Sequence, residues 1–421
     1  MRWSKFINFY EIGDDTIIFN SVTRGVSKMA GQELKLIDEY IKGSFKEKIT
    51  EDMKDVIAEL YLEDYIVTNN YREKEVFSKV RYSRDEAQAV VMYFIPTFNC
   101  NFRCPYCIIS ATDHDCTVDD TMSDEDTVLA ANWLINYISK NNLKKLTVEL
   151  FGGEPMLGHK QNLLFLNTLT KLKEQGVELK FNMISNCYLL SDENLTELKQ
   201  AGVESIQCTI DGPKEINDKR RILSDGGGSF DRIIENIKLC RKHDISVTIR
   251  INIDEENVTH IVSLIEFLKK NKFHEYVTIG LAPVDPPLKD VNISGHNEKV
   301  MNYMPEIYNK LREEKFRFLM WETFCGNGTK NFFVICPDGS LYNCPSYAGI
   351  EGHSIGNIRE EEFYPTRKYM HEIPEKCFDC NLVGVCAGGC YFTKTVHDLK
   401  DYCLEPTHFT MMGSYITSKY R

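Results

Sequence analysis

The sequence predicts an α/β fold with a central region of six βα units, preceded by a small module of strands and helices and followed by a cysteine-rich region. From residue 89 onward, short apolar runs alternate with segments of helical period, which indicates a parallel sheet with right-handed crossovers. The fifteen cysteines are unevenly spread, since residues 1–80 hold none and eight lie between Cys325 and Cys403. We therefore expect three domains, at residues 1–80, 88–318 and 319–421.

We predict each helix and strand from the length of its apolar segment and from the period at which apolar residues recur. In the N-terminal module we predict strands at Ile7–Tyr10, Thr16–Asn20 and Tyr65–Thr68, and helices at Ser27–Tyr40 and Ile49–Leu60. The charged stretch Tyr71–Glu86 is predicted to be a connector. The strands of the sheet are predicted at Val90–Ile95, Leu146–Phe151, Leu179–Ser185, Ser205–Ile210, Ser246–Ile253 and Tyr276–Ala282. Their helices are predicted at Asp126–Lys140, Leu163–Glu174, Asp192–Ala201, Asp231–His243, Val258–Lys270 and Glu298–Glu314.

Length, charge and hydropathy exclude several classes of protein. With 421 residues, of which 43% are hydrophobic, the chain can bury a sizeable core. It has no run of 18 apolar residues and no signal-peptide stretch at its N-terminus, so we expect neither a membrane partner nor export. The net charge of −12 argues against a nucleic-acid partner. Cysteines without an export signal favour metal or redox chemistry in the cytoplasm over disulfides.

Three cysteines directly follow the first predicted strand of the sheet, at Cys100, Cys104 and Cys107. Three thiolates can hold three irons of a cubane [4Fe–4S] cluster and leave the fourth open, whereas an electron-transfer cluster takes four cysteines. A zinc site that lacks one ligand is the alternative. The aromatic Tyr106 precedes the last cysteine, and Gly152-Gly153-Glu154-Pro155 ends the next strand. In this context the run resembles that of the radical S-adenosylmethionine (SAM) superfamily, in which SAM chelates the open iron.

This resemblance implies a partial (β/α)6 radical SAM barrel whose three cluster cysteines are catalytic. In that family the aromatic residue packs near the adenine, the GGE loop meets the amino group of SAM, and an arginine at the offset of Arg221 binds its carboxylate. Relatives have Gly at position 187 and often His at 217, where this chain has Cys187 and Asn217. Ser185-Asn186 could instead form a plain turn, and Arg250 with Asn252 could line a polar interior. The SAM-binding residues that the resemblance implies are Tyr106, Gly152, Gly153, Glu154, Ser185, Asn186, Thr209, Arg221 and Arg250.

The spacing of the C-terminal cysteines, C-x13-G-x4-C…C-x2-C-x5-C-x3-C…C, resembles that of the SPASM domain, which binds two auxiliary [4Fe–4S] clusters. A pair of zinc sites is the alternative, because C-x2-C is also a zinc spacing. Matched to the SPASM family, the inner cluster takes Cys325, Cys344 and Cys390, and the outer cluster takes Cys377, Cys380, Cys386 and Cys403.

The chain departs from the sulfatase-maturing relatives at two positions of this region. Those enzymes carry a further cysteine where this chain has Asn331, and a proposed catalytic Asp where it has Pro345. The inner cluster is therefore expected to keep an open iron. Cys336 is the rival fourth ligand, and we predict that its sulfur faces away, because relatives have no ligand at that offset. The remaining cysteines, expected to be small buried hydrophobes, are Cys116, Cys187, Cys208 and Cys240.

Together the motifs resemble those of radical SAM/SPASM peptide maturases. Residues 1–80 resemble, more distantly, the winged-helix modules that bind a leader peptide as an added strand. The resemblance implies three [4Fe–4S] clusters, SAM, a precursor peptide with a leader segment, and an electron donor such as flavodoxin or ferredoxin. An open inner iron could hold a substrate Cys thiolate, so we expect a thioether crosslink first and carbon–carbon crosslinking second. An iron–sulfur sensor with a DNA-reading winged helix is the alternative from another class, and the acidic charge counts against it.

Overall fold

The computed structural model describes residues 1–44, 50–86, 88–111, 120–284, 298–319, 325, 329–360, 373–396 and 403–421. Cys116 and the first residue of the helix predicted from Ile49 lie outside the described residues. No helix in the described ranges is both long enough and apolar enough to cross a membrane.

The N-terminal module contains two small antiparallel sheets. Its elements are β1 (Arg2–Trp3), β2 (Ile7–Ile12), β3 (Asp15–Asn20), β4 (Val26–Ala30), α1 (Gly31–Ile41), α2 (Glu51–Leu62), β5 (Ile66–Val67) and α3 (Glu73–Glu86). Strands β2, β3 and β4 form one sheet in that order, and β1 pairs with β5. The winged-helix arrangement itself stays a prediction.

Two predictions for this module are wrong, and tertiary contacts explain both. Residues 26–30 form strand β4 rather than the start of a helix, because they pair with β3 along their whole length. The charged stretch predicted as a connector is helix α3, whose Phe77 is 1% exposed and packs against Phe6. In its first turn, Glu73 accepts two hydrogen bonds from the Arg2 guanidinium. A narrow apolar stripe and one ion pair can hold a polar helix in place, although its composition does not reveal them.

The predicted parallel sheet is confirmed. Its strands are β6 (Ala89–Phe94), β7 (Lys145–Leu150), β8 (Glu178–Ser185), β9 (Val203–Thr209), β10 (Ser246–Ile253), β11 (Val277–Pro283) and β12 (Arg317–Leu319), all parallel to their neighbours. The helices of this region are α4 (Ile108–Ala111), α5 (Asp124–Lys140), α6 (His159–Leu169), α7 (Asp192–Gln200), α8 (Lys214–Arg220), α9 (Phe230–Lys242), α10 (Ile261–Lys270) and α11 (Glu298–Glu313). Helices α4 and α8 and strand β12 are short and lie outside the predicted elements.

Strand β10 shows why the sheet has one apolar and one polar face. Val247, Ile249 and Ile251 are buried on the face that the helices cover. Arg250 and Asn252 alternate with them and therefore point to the interior of the curved sheet. The alternation leaves polar side chains where a ligand can enter and an apolar layer where helices pack.

The cysteine-rich region continues the same sheet. Its elements are β13 (Phe332–Ile335), β14 (Ser340–Tyr342), β15 (Gly356–Asn357), α12 (Val383–Cys386), α13 (Tyr391–Val396) and α14 (Glu405–Tyr420). Strand β13 pairs in parallel with β6, and β14 and β15 follow antiparallel, which completes a ten-stranded sheet in the described residues. Because β6 leads into the first three cysteines, this pairing brings the C-terminal hairpin beside them.

The N-terminal module packs directly on the C-terminal region. Tyr10 of β2 contacts Phe409 of α14, with ring centroids 5.5 Å apart. A Cβ added at Gly384 would lie 2.3 Å from the carbonyl oxygen of Ser21, so the two backbones nearly touch. The module is therefore part of the packed molecule, and deleting residues 1–80 would expose buried apolar surface.

Candidate active site

A cavity of about 380 Å³ lies at the C-terminal ends of the strands from β6 to β10. This is the edge at which parallel α/β sheets place their chemistry. The three predicted cluster cysteines and eight of the nine predicted SAM-binding residues line it. They are Cys100, Cys104, Cys107, Tyr106, Gly152, Gly153, Ser185, Asn186, Thr209, Arg221 and Arg250. The ninth, Glu154, lies behind the cavity wall.

The cluster loop, residues 96–107, follows β6 and is held by hydrogen bonds to distant segments. Its backbone donates to the Asp120 carboxylate at 3.0 Å, and Arg103 N donates to Ile222 O at 2.7 Å. Within the loop, Phe102 N donates to Cys100 Sγ at 3.4 Å. Amide donors of this kind surround the sulfurs of iron–sulfur sites and tune them.

Burial keeps two of the cluster-loop cysteines protonated in the metal-free protein. It raises the pKa of Cys100 to about 12 and the pKa of Cys104 to about 11. Since iron binds the thiolate, loading a cluster would displace these protons. The loop therefore offers thiols that are inert until a metal replaces the proton.

The glycine turn, residues 152–155, lies against the cluster loop without room for side chains. Gly152 has φ +138°, and a Cβ there would be 2.5 Å from Thr97 O. A Cβ at Gly153 would be 2.2 Å from Phe98 O. Glycine is required at both positions because the backbone of the turn lies so close to the cluster loop. The turn therefore presents backbone atoms, without side chains, to the cavity.

Glu154 organises this wall from behind rather than facing the cavity. Its carboxylate accepts hydrogen bonds from Ser185 Oγ at 2.7 Å, Asn186 N at 2.8 Å and Met156 N at 3.1 Å. Burial raises the pKa of Glu154, and these three bonds oppose the rise. The carboxylate thus links the glycine turn to the end of β8 and positions Ser185 and Asn186 at the cavity.

Tyr106 is held at the cavity by a buried charged group that the sequence analysis did not assign to the site. Its hydroxyl donates to the carboxylate of Asp211, which is fully buried, and accepts from Arg221 Nη1 at 2.9 Å. The Arg220 guanidinium lies 4.9 Å from the centre of the Tyr106 ring and pairs with Asp254 at 2.8 Å. The signal in the sequence that could have identified this group is the polar turn Asp211-Gly212-Pro213, which follows the end of β9.

Arg221 keeps one polar atom available for a ligand. It is 6% exposed, and its Nε has no hydrogen-bond partner within the described residues. Asn217, by contrast, is fully buried: its Oδ1 accepts from Asp211 N at 3.2 Å and its Nδ2 donates to Ser229 Oγ at 3.2 Å. Asn217 therefore holds the loop, and Arg221 presents the polar atom.

The electrostatic contacts of the C-terminal cysteines fall into two groups. Burial, with smaller contributions from Cys325 and Cys390, raises the pKa of Cys344 to about 12. Burial likewise raises the pKa of Cys386 to about 12, with smaller contributions from Cys403, Cys377 and Cys380. We call these groups the inner set (Cys325, Cys344 and Cys390) and the outer set (Cys377, Cys380, Cys386 and Cys403).

Cys336 is 1% exposed and lies in the same buried cluster as Cys344 and Cys390. Burial raises its pKa, and the other groups that shift this pKa are Asp338, Asp120 and the backbone of Gly349 rather than a cysteine. Asn331, at the position of the extra cysteine in relatives, accepts from Tyr137 Oη at 2.9 Å on the α5 side of the sheet. Pro345, next to Cys344, lines the cavity. The hairpin therefore places Cys344 next to the cavity wall.

The chemistry of these residues fits iron–sulfur clusters and SAM. No three His, Cys, Asp or Glu side chains among the described residues converge as one metal ion would require. A cubane needs no such convergence, because each thiolate binds a different iron. The unpartnered Arg221 Nε and the bare backbone of the glycine turn suit the carboxylate and amino group of a ligand. When bound, a reduced cluster and SAM supply a 5′-deoxyadenosyl radical, while the chain positions the substrate and excludes water.

A comparison with protein families agrees with this geometry. Residues 94–268 match the Radical SAM superfamily, and this span holds the cluster loop, the glycine turn and Arg221. The chain carries a radical SAM domain, and the protein is a radical SAM enzyme.

Its relatives include sulfatase-maturating enzymes and peptide maturases. The cysteine-type anaerobic sulfatase-maturating enzyme of Clostridium novyi is 24% identical over 69% of this chain and 85% of its own length. The radical SAM cyclopropyl synthase TigE of Paramaledivibacter caminithermalis is 21% identical over 92% of this chain and 89% of its own.

Solved structures show the same fold. Native anSMEcpe with bound AdoMet aligns with a TM-score of 0.62 and 18% identity, covering 78% of this chain and 95% of that one. Streptococcus suis SuiB bound to its precursor peptide SuiA aligns with a TM-score of 0.54 and 14% identity, covering 96% and 98%. The SuiB alignment covers 96% of this chain and therefore includes the N-terminal module. The anSMEcpe alignment covers 78%, which is short enough to leave the module out.

Proposed function

We propose that the protein is a radical SAM peptide maturase that installs a Cys thioether in a ribosomally made precursor peptide. The observation that carries this proposal is the composition of the inner set, which has three thiols, one of them on Cys344 next to the cavity residue Pro345. No cysteine is among the groups that shift the pKa of Cys336, and Asn331 accepts from Tyr137, which supports an inner set without a fourth protein ligand. Three protein thiolates on a cubane would leave one position for a substrate thiol.

The cavity lining supports thiol coupling over oxidation with a carboxylate base. None of the described residues that line it is Asp or Glu, and Pro345 stands where the sulfatase-maturing pattern has its proposed base. Among the described residues that line the cavity, the charged side chains are those of Arg221 and Arg250. After hydrogen is removed from a substrate carbon, oxidation of the carbon radical needs a base to take a proton. Without a carboxylate in the cavity lining, capture of the radical by a substrate sulfur is favoured instead.

The proposal includes three [4Fe–4S] clusters, SAM, and an electron donor such as flavodoxin or ferredoxin. The cluster-loop cysteines would hold the SAM-binding cluster, and the inner and outer sets the auxiliary clusters. Anaerobically reconstituted protein should then contain about 12 irons, from three cubanes of four. A zinc protein would show no broad visible absorbance and no response to dithionite.

The leader segment would bind at the edge of β4. Strand β4 pairs with β3 alone in the described chain, whereas β2, at the other edge, lies under α14. Asn20 N donates to Gly25 O, and Gly31 N donates to Asp14 O. By alternation along the antiparallel ladder, the N–H of Lys28 therefore points away from β3 and is available to an added strand.

A substitution in β4 tests the leader site without deleting the module. Lys28→Pro removes the outward N–H and leaves the ladder to β3 intact, so we expect weaker binding of the full precursor. Lys28→Thr keeps the N–H and serves as the matched control. Fluorescence anisotropy of a labelled leader peptide measures both. Equal affinities for the two variants would contradict pairing at this edge.

The crosslink itself is tested by mass spectrometry of the modified peptide. The probe is a synthetic peptide with a leader segment and a Cys-containing core, incubated with the enzyme, SAM and dithionite. A thioether predicts the loss of two hydrogens, one thiol fewer that iodoacetamide can alkylate, and a bond that resists reductants. A disulfide would be reversed by reductant, so the outcomes are distinct.

Carbon–carbon crosslinking is the second candidate, and the similarity to TigE over most of the chain favours it. In that reaction the peptide also loses two hydrogens, but every cysteine remains open to alkylation. Loss of two hydrogens with all thiols still alkylated would replace the thioether proposal with this one.

A further inference from the structure

A buried lysine lies between the two auxiliary cysteine sets. Lys394, on α13, is 7% exposed, and its Nζ donates to Gly388 O at 2.5 Å. Its own N–H donates to Cys390 O at 3.2 Å, which ties the start of the helix to the inner set. No ion pair joins the Lys394 ammonium to a carboxylate in the described part of the chain.

The segment that Lys394 contacts joins the two sets. Cys386 of the outer set and Cys390 of the inner set enclose Gly388 and Gly389, which have φ near +88° and +89°. A Cβ at Gly389 would lie 3.4 Å from Lys394 Cε and 3.7 Å from its Nζ. The ammonium is therefore packed against the backbone that connects one predicted cluster to the other.

A buried ammonium with a carbonyl as its partner is an unfavourable arrangement. Burying a charge without an opposite charge costs several kcal/mol, because water is lost and nothing of opposite sign replaces it. Cys377 of the outer set is a candidate for that opposite charge. Burial raises the pKa of Cys377, and the charge of Lys394 lowers it, which places the ammonium within electrostatic reach of this sulfur.

We propose that Lys394 is the buried counterion of the auxiliary clusters and raises the reduction potential of the outer one. A cluster held by four thiolates is an anion, and reduction adds one more negative charge. A fixed positive charge nearby stabilises the reduced form more than the oxidised form, and burial limits screening by solvent. Lys394 would thus act through the cluster, as a residue that tunes electron flow rather than one that touches substrate.

This inference rests on the proposed auxiliary clusters, and the experiment separates the two. The variants are Lys394→Met, which keeps the length and removes the charge, and Lys394→Arg, which keeps the charge. The control is Lys376→Met, because Lys376 also lies near Cys377 but is exposed. Each full-length protein is reconstituted anaerobically, its iron is counted, and its auxiliary clusters are titrated with EPR detection.

We expect a lower midpoint potential for the outer cluster in Lys394→Met, a potential close to wild type in Lys394→Arg, and a smaller shift in Lys376→Met. Reductive cleavage of SAM should change little in all three, because the cluster loop is untouched. An unchanged potential in Lys394→Met with full iron content would overturn the role of Lys394.

Loss of auxiliary iron has its own controls. If Lys394→Met fails to hold iron, Lys394→Gln, which keeps a donor for Gly388 O, is titrated in its place. Loss of iron in both neutral variants would overturn the tuning role and make Lys394 an assembly residue. If the reconstituted wild-type protein held only about four irons, enough for one cubane, the auxiliary clusters of the proposed function would be refuted. Lys394 would then have no cluster to act on.

Discussion

The close approach of the glycine turn to the cluster loop predicts a large effect of one methyl group. In Gly153→Ala, the added Cβ would lie 2.2 Å from Phe98 O and 2.3 Å from Asn99 O. Contacts under 3.0 Å to backbone atoms are not relieved by side-chain rotation. The two loops must therefore separate by at least about 0.8 Å, the difference between 3.0 Å and 2.2 Å.

Both of the loops that would move apart line the cavity in which we expect SAM to bind. A misplacement of about 1 Å can reduce a rate by roughly 100-fold, and overpacking costs about 1–3 kcal/mol of stability. We therefore expect Gly153→Ala to form 5′-deoxyadenosine from SAM roughly 100-fold more slowly than wild type. The assay is chromatography of the product under dithionite, with iron content measured on the same sample.

The matched control is Gly280→Ala in strand β11 of the same sheet. Its added Cβ would meet Thr248 Cγ2 at 3.8 Å, an ordinary contact, so we expect little change in rate. If Gly153→Ala cleaved SAM within about threefold of wild type, the close approach would not matter for the chemistry and the reasoning would fail.

Three further predictions concern the cysteines and the buried charges. Replacing the three cluster-loop cysteines by Ala should remove about one third of the iron and abolish SAM cleavage; continued cleavage would disprove their assignment. Cys336→Ala should keep the full iron content, whereas Cys344→Ala should lose about one third of it; equal loss would make Cys336 a ligand. Asp211→Asn should lower the free energy of unfolding by about 3 kcal/mol, because it removes a fully buried carboxylate that faces the Arg220 guanidinium at 3.7 Å and accepts from Tyr106 Oη. Glu256→Gln, which removes an exposed partner of the same arginine group, should cost about 0–1 kcal/mol. Thermal denaturation of reconstituted protein measures both, and similar shifts would contradict the role of burial.

Much of the site was predictable because it depends on short-range sequence. The cysteine spacing, the glycine turn and Arg221 each follow a strand directly, and parallel strands bring their C-terminal ends to one edge. Alternation along β10 correctly placed Arg250 and Asn252 on one side of their strand. The prediction for Glu154 was less accurate in one respect, because a motif does not reveal that its carboxylate is turned to the end of β8.

Other features depend on contacts between residues far apart in the chain. Asp211 and Arg220 become part of the site because a buried carboxylate must be neutralised, and only the folded chain shows which groups surround it. Helix α3 is rich in charged residues, and its position depends on a few apolar contacts of Phe77 and Val80 with Phe6 and the cysteine-rich region. Composition gave no sign of those contacts.

The sequence by itself determined the alternation of strands and helices, the spacing of the cysteines and the radical SAM motifs, because period, turn chemistry and ligand spacing are local properties. The tertiary structure alone decided that β13 extends the sheet at β6, that the N-terminal module packs on α14, and that Lys394 is buried between the two cysteine sets. These outcomes depend on which surfaces exclude water together and which buried charges find a counterion. Such free energies belong to pairs of distant segments, so no stretch of sequence read alone contains them.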